Sequence, residues 1–274
     1  VRYWAAAARL GTDTAFEEAQ MKIGRRLAMK LLNASKFALS MTEDAGLCLD
    51  PAKVTTPLDK AVLAQLNEVI TTATEAFERY DHTRALEQTE SFFWDFCDNY
   101  LELVKDRAHN FAGNWEREVQ DSARTALAIV VDNVTRLLAP FLPYAAEEVW
   151  SWYRTGSVHT SFRWVHPAPW PRVTPALQAA AGDAQLLKLA GDTLSVLRKV
   201  KSEAKVGQRT PFEQVTVVYA DDWSAENLPE VRADLDAAAS LTGTVKVEVN
   251  KEAEQQVTTE DAVLGTPPPK KVRK

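Results

Sequence analysis

Apolar residues recur at helical spacing from the first residue to about position 152. Behind Thr56-Pro57, a cap followed by proline at the first helical position, come Leu58, Val62, Leu66, Val69, Ile70, Ala73 and Phe77. Asp81 is placed to cap the next helix, which the pattern carries to about residue 109. Its apolar side holds Leu86, Phe93, Phe96, Cys97, Tyr100, Leu101 and Val104. A third run, residues 115–139, carries Val119, Ala126, Ile129, Val130, Val134, Leu137 and Leu138. Pro140 halts it, and Pro143 can open a short helix through Trp150. Long antiparallel helices with short loops predict a bundle over residues 1–156.

The pattern then changes. Residues 157–182 begin SVHTSFRWVHPAPWPRVTP, whose prolines and Ser/Thr residues predict an irregular connector. Beyond it a helix over 183–206 precedes the β-branched run EQVTVVY (213–219). A helix over 229–241 and a second strand, TVKVEV (244–249), follow. Helix, strand, helix, strand over 183–250 predicts a small α+β unit. Residues 251–274, with PPP and the basic end KKVRK, read as a disordered tail. The fold class expected is mainly α: an antiparallel helical bundle followed by a small α+β domain.

One helix is divided unevenly between apolar and basic residues. GRRLAMKLLNASKFAL (24–39) contains Arg25, Arg26, Lys30 and Lys36 and no acid. Turned by about 100° per residue, Ile23, Leu27, Leu31, Ala34, Ser35, Ala38 and Leu39 fall on one half. The other half shows Lys22, Arg25, Arg26, Met29, Lys30, Asn33, Lys36 and Phe37. The first half packs. Phe37 lies among cations, where a two-layer core would not place a ring. It either packs on a second neighbouring helix, with lysines snorkelling around it, or offers a base something to stack on while the cations neutralise phosphates.

Composition narrows the classes. At 274 residues, 46% hydrophobic and 26% charged, the chain suits a water-soluble globular protein, and no apolar run long enough for a membrane span occurs. A net charge of −6 excludes nonspecific coating of nucleic acid, so any anion site must be a local patch. Two cysteines, Cys48 and Cys97, build no disulfide framework, which fits a reducing cytoplasm. The opening VRYWAAAARLG lacks an initiator Met and a signal-peptide layout, and reads as a chain entered in mid-helix, a fragment of something longer.

The remaining chemistry-bearing residues read mostly as structure. Phe92, Phe93, Phe96 and Tyr100 are expected in the core, with Trp94 at its edge. Asp98 and Glu102 are expected as structural pairing or solvated charge. Glu147 and Glu148 suit the start of a short helix. His159 and His166 have no companions arranged for metal, so no metal site is expected. Arg198, Lys199, Lys201, Lys205 and Arg209 form a second basic run, either a solvated face or an accessory contact.

Four segments together resemble a known family. GTDTAFEEAQMKIGRRLAMKLLNASKFAL (11–39) resembles the first helices of the anticodon-binding domain of valyl-tRNA synthetases, including their Asn-Ala-[SA]-Arg-Phe element, here Asn33-Ala34-Ser35-Lys36-Phe37. FFWDFCDNYLELVK (92–105), APFLPYAAEEVW (139–150) and the SVH…APWP connector (157–171) are similar, in order, to elements shared with isoleucine and leucine synthetases. The HIGH-like and KMSKS-like elements that hold ATP, a P-loop and an editing domain are absent. The resemblance therefore implies the non-catalytic, tRNA-binding C-terminal part of a class I ligase. ATP and Mg belong to the missing catalytic domain, which is one partner. The anticodon stem-loop of tRNA-Val is the other.

Carried over by position, the resemblance implies Phe37 as a base-stacking ring, Lys30 and Asn33 as phosphate or base-edge partners, and Arg25, Arg26 and Lys36 on the same surface. Trp94, Arg198, Lys201 and Lys205 are possible accessory RNA contacts. Family members often carry Arg where this chain has Ala19. A helical protein-interaction module, or the same domain of an isoleucyl or leucyl enzyme, remains the alternative.

Overall fold

The computed structural model describes residues 1–41, 47–153 and 162–267. Helices α1 (Arg2–Ala6), α2 (Glu18–Ser40), α3 (Pro57–Glu78) and α4 (His82–Asp95) come first, followed by a π-helical turn (Phe96–Tyr100). Then come α5 (Leu101–His109), α6 (Arg117–Leu138), α7 (Pro143–Tyr153), α8 (Pro175–Ala180) and α9 (Gln185–Glu203). Strand β1 (Phe212–Tyr219), α10 (Asp222–Asn227), α11 (Arg232–Ala239), β2 (Leu241–Val249) and β3 (Val257–Leu264) complete the order.

The caps follow the local chemistry. Pro57 opens α3 behind Thr56, and the Asp81 carboxylate accepts from Arg84 N–H at 3.0 Å to start α4. The expected single helix over 82–109 is α4, the π turn and α5 in succession. That π turn puts Phe96, Cys97 and Tyr100 in the core, where burial pushes the Cys97 thiol up to about 12.

Helix α2 packs on α6 and α7, and α3 on α4, α6 and α9. Helix α1 crosses α2 at Gly24. A methyl group there would lie 2.4 Å from the Tyr3 Cβ, so only glycine admits this approach. Tyr3 in turn donates to Glu90 Oε2 at 2.6 Å.

The Pro-rich segment is pinned rather than loose. Trp150 Nε1 donates to Phe162 O, Glu147 accepts from Val165 N–H, Arg136 Nη1 donates to Pro169 O, and Trp170 Nε1 donates to Thr74 Oγ1. Glu147 thus holds the connector, a role its place near a helix start did not suggest. Thr174 caps α8, a helix the sequence pattern did not predict. His159 lies outside the described residues.

The sheet has strand order β2-β1-β3, with β1 parallel to β2 and antiparallel to β3. The expectation of a disordered tail over 251–274 is overturned for the part that forms β3. There Val257, Thr258, Thr259 and Val263 supply β-branched residues, and β1 supplies a paired edge. Residues 268–274, which hold KKVRK, lie outside the described residues.

Bundle and sheet unit meet on one buried guanidinium. Arg107 of α5 is 1% exposed and uses all five of its N–H groups. Nη1 and Nη2 each donate to the Asp59 carboxylate of α3 at 2.8 Å, and Nε and Nη2 donate to Asp234 of α11 at 2.9 and 3.1 Å. Nη1 also reaches Val119 O of α6 at 2.8 Å. Asp59 accepts further from Tyr100 OH at 2.7 Å and Ser122 Oγ at 2.6 Å.

Burial opposes the Asp59 charge, but Arg107 and the Ser122 hydroxyl outweigh it and hold its pKa below the ordinary range. At Asp234 burial wins over the same arginine, and its carboxyl is pushed up to about 6.

Three expected outcomes follow from this architecture. Gly24→Ala overpacks the α1–α2 crossing and lowers stability by roughly 1–3 kcal/mol in urea unfolding. Asp59→Asn strands the Arg107 charge and costs roughly 3–5 kcal/mol; Asp234→Asn costs clearly less. The folded chain keeps the Asp234 proton where the unfolded chain has lost it. Asp234 therefore contributes less stability as pH rises from its ordinary value of 3.8 to about 6, and Asp234→Asn removes that slope.

Candidate nucleic-acid interface

Leu27, Leu31, Ala34, Ser35 and Ala38 of α2 are buried, so its opposite side is left as a crest. Arg25, Arg26, Met29, Asn33 and Lys36 are exposed on that crest, as the helical wheel requires. Arg25 and Lys36 form no ion pair among the described residues. They are free charges for an anion.

The flank of the crest facing α4 and α5 is more structured. Trp94 is half-buried, its Nε1 donating to Glu90 Oε1 at 3.1 Å, and Glu90 also accepts from Tyr3. The indole is thereby held from below while two cations lie over it. The Arg26 guanidinium is 5.8 Å and the Lys30 ammonium 5.4 Å from its centroid. Lys30 Nζ also donates to Asp98 Oδ1 at 2.9 Å. Both partners are partly solvated, so that pair is worth roughly 0–1 kcal/mol and can open to another anion.

Arg198 joins the same cluster from α9, donating to Glu102 Oε2 at 3.2 Å and to Asp98 O at 3.3 Å. Asp98 and Glu102 are thus structural partners of cations.

Phe37 takes the packed option more than the exposed one. It is half-buried, its ring meets His109 edge-on at 5.4 Å, and the Lys105 ammonium lies 5.3 Å from its centroid. Its environment is α5, the second neighbouring helix of the alternative.

Among the accessory candidates, Lys205 is exposed with a positive φ of 53°, and Lys201 is corrected outright. Lys201 is 1% exposed, and its Nζ donates to Ala239 O at 2.6 Å and Gln208 O at 2.8 Å over the Phe212 ring. It closes the C-terminal end of α11, where carbonyls lack helical partners. Burial, then the Arg198 charge, lowers its pKa to about 8.

Lys105 and His109, inside α5, and Phe111, just past its end, also border this surface and are not legible as such in the sequence, because the apolar pattern of that helix shows its buried side. Asn110 there signals only the turn, because asparagine after the last periodic residue often adopts the left-handed turn that re-aims the chain.

Among the described residues no group of three His, Cys, Asp or Glu side chains could hold a metal, and no helix is long and apolar enough to cross a membrane.

The chain itself has known relatives. Residues 59–218, more than half of the chain, match the family described as the anticodon-binding domain of tRNA ligase, and the chain belongs to that family. It is similar to the valine–tRNA ligase of Thermobifida fusca, 51% identical over 95% of this chain and 28% of that protein. It is likewise similar to those of Bifidobacterium longum (46%, over 99% and 32%) and Cutibacterium acnes (43%, over 99% and 29%). The chain spans about three tenths of the length of these curated relatives. At 99% coverage, α2 falls inside the alignments with the last two, although it precedes the family match.

Lys201→Ala removes the ammonium donor from the buried Ala239 carbonyl and the part-buried Gln208 carbonyl. The expected result is roughly 1–3 kcal/mol lower stability in urea unfolding, with RNA affinity unchanged when measured under folding conditions.

Proposed function

We propose that this chain is the tRNA-binding part of a valine–tRNA ligase and that it holds the anticodon loop of tRNA-Val against the crest of α2. The carrying observation is that crest: free cations at Arg25 and Lys36, beside an indole and a phenyl ring already roofed by cations, in a member of the anticodon-binding family. Valine activation with ATP and Mg would fall to a catalytic domain of the same polypeptide, which is the second partner. The reaction itself needs no residue of this chain, and the setting is the cytoplasm.

The physical roles follow from position. Arg25, Arg26 and Lys36 neutralise phosphates. Asn33, exposed and carrying both donor and acceptor, reads a base edge. Lys30 and Lys105 are paired with Asp98 and Glu102 across partly solvated contacts and can leave them for phosphate, and the departure of Lys105 uncovers the Phe37 ring for a base. An anticodon loop suits such a surface because its bases are already unstacked. Trp94, seated on Glu90, and Arg198, bridging from α9, border it.

Titration of the chain with tRNA-Val and an unrelated tRNA at several salt concentrations tests the proposal. The expected result is preferential, salt-sensitive binding of tRNA-Val. Arg25→Ala with Lys36→Ala should flatten the salt slope by about 2, and Phe37→Ala should weaken binding by roughly 1–3 kcal/mol. Equal, salt-insensitive association with both RNAs would favour a protein-interaction module instead.

A further inference from the structure

Phe37 begins a row of rings that runs outward. Its ring meets His109 edge-on, and His109 lies nearly parallel to Phe111, with centroids 4.5 Å apart and planes 15° apart. Phe111 is 88% exposed. The row thus ends in a bare phenyl face supported from behind by an imidazole.

The loop that presents this ring is built to hold it. Asn110 takes the left-handed conformation (φ 51°, ψ 41°), and its N–H donates to Asp106 O at 2.7 Å. Its side chain grips Trp115 twice, donating to the carbonyl at 2.9 Å and accepting from the N–H at 3.0 Å. Gly113 N–H donates to Asn110 O at 3.1 Å, and Trp115 Nε1 donates to Asp106 Oδ2 at 2.9 Å. Phe111 is carried on a closed turn whose polar groups are tied, while its own apolar ring is left in water.

The charges around the row suit an RNA. Burial first, then the cations Lys105 and Arg124, lower the His109 pKa against the opposing Asp106, which favours the uncharged imidazole behind Phe111. Asp106 is occupied by the Trp115 indole, while Lys105 projects beside Phe37. A flat neutral stack edged by cations matches a nucleobase with its phosphate. An acidic peptide would find the charge but no use for the exposed face.

We infer that Phe111, backed by His109, is a second base-stacking surface, taking an unpaired nucleobase of the RNA loop different from the one that reaches Phe37. This rests on the proposed function. It deepens that reading by assigning a further contact residue on a different helix end.

The test uses anticodon stem-loops of tRNA-Val carrying 2-aminopurine at one loop position at a time, whose fluorescence is quenched on stacking. The wild-type chain should quench one position that Phe111→Ala no longer quenches, with affinity reduced about 5- to 150-fold. Phe111→Tyr should restore both. Phe37→Ala should abolish quenching at a different position.

Phe111 is almost fully exposed, so Phe111→Ala should keep the wild-type melting curve. Unchanged affinity and quenching in Phe111→Ala, with the wild type binding well, would overturn this inference and leave the proposed function standing. Loss of quenching at the same position in both alanine variants would also overturn it, reducing Phe111 to a prop for Phe37. A wild-type chain that does not bind the stem-loop defeats both readings.

Discussion

The Arg107 cluster governs how the two halves of the molecule sit together. A guanidinium taken out of water is tolerable only when every N–H has an acceptor, and here the acceptors come from α3, α6 and α11. Moving any of these helices by an ångström or two would strand a buried charge. The cluster therefore adds less to stability than to definition. It permits one relative placement of the α3–α6 layer and the sheet unit and penalises the others. Two carboxylates share one cation, and the uneven split between them marks Asp59 as the firm partner and Asp234 as the yielding one.

Helix α5 carries this anchor and the margin of the candidate interface. Its inner side holds Arg107, and its outer side and C-terminal end hold Lys105 and His109. The π turn before it supplies Asp98, whose side chain receives Lys30 from α2 and whose carbonyl receives Arg198 from α9. Residues from three separate stretches of chain are therefore positioned by one continuous piece of helix. The same logic holds Trp94: Glu90 fixes the indole, and Tyr3 fixes Glu90. Cations lie over the aromatic rings at both Trp94 and Phe37.

Much of this was legible in the sequence, and the failures have physical causes. Apolar periodicity located the long helices because burial of one stripe is what forms them. The cationic crest of α2 followed from rotation alone. A wheel cannot show which neighbour a ring will meet, so Phe37 stayed ambiguous until α5 was placed beside it. Lys201 reads as a surface cation because its neighbours in sequence are cations, whereas its partners are carbonyls at the end of α11 and in the loop after its own helix α9. Arg107 and Asp59 sit on apolar stripes, which is a visible anomaly, but their pairing spans 48 residues and is a property of the folded chain. Strand β3 was hidden by the prolines and lysines after it, and its pairing with β1 is again long-range.

The strand order β2-β1-β3 has a consequence for the order of synthesis. The central strand, with its Val215-Thr216-Val217-Val218-Tyr219 run, emerges first, and its parallel neighbour follows after α11. Its other edge stays unpaired until residues 257–264 have been made. Through that interval the nascent chain displays an apolar, β-branched edge of the kind that recruits other strands. The short strand near the end of the described residues is thus what covers the second edge of β1.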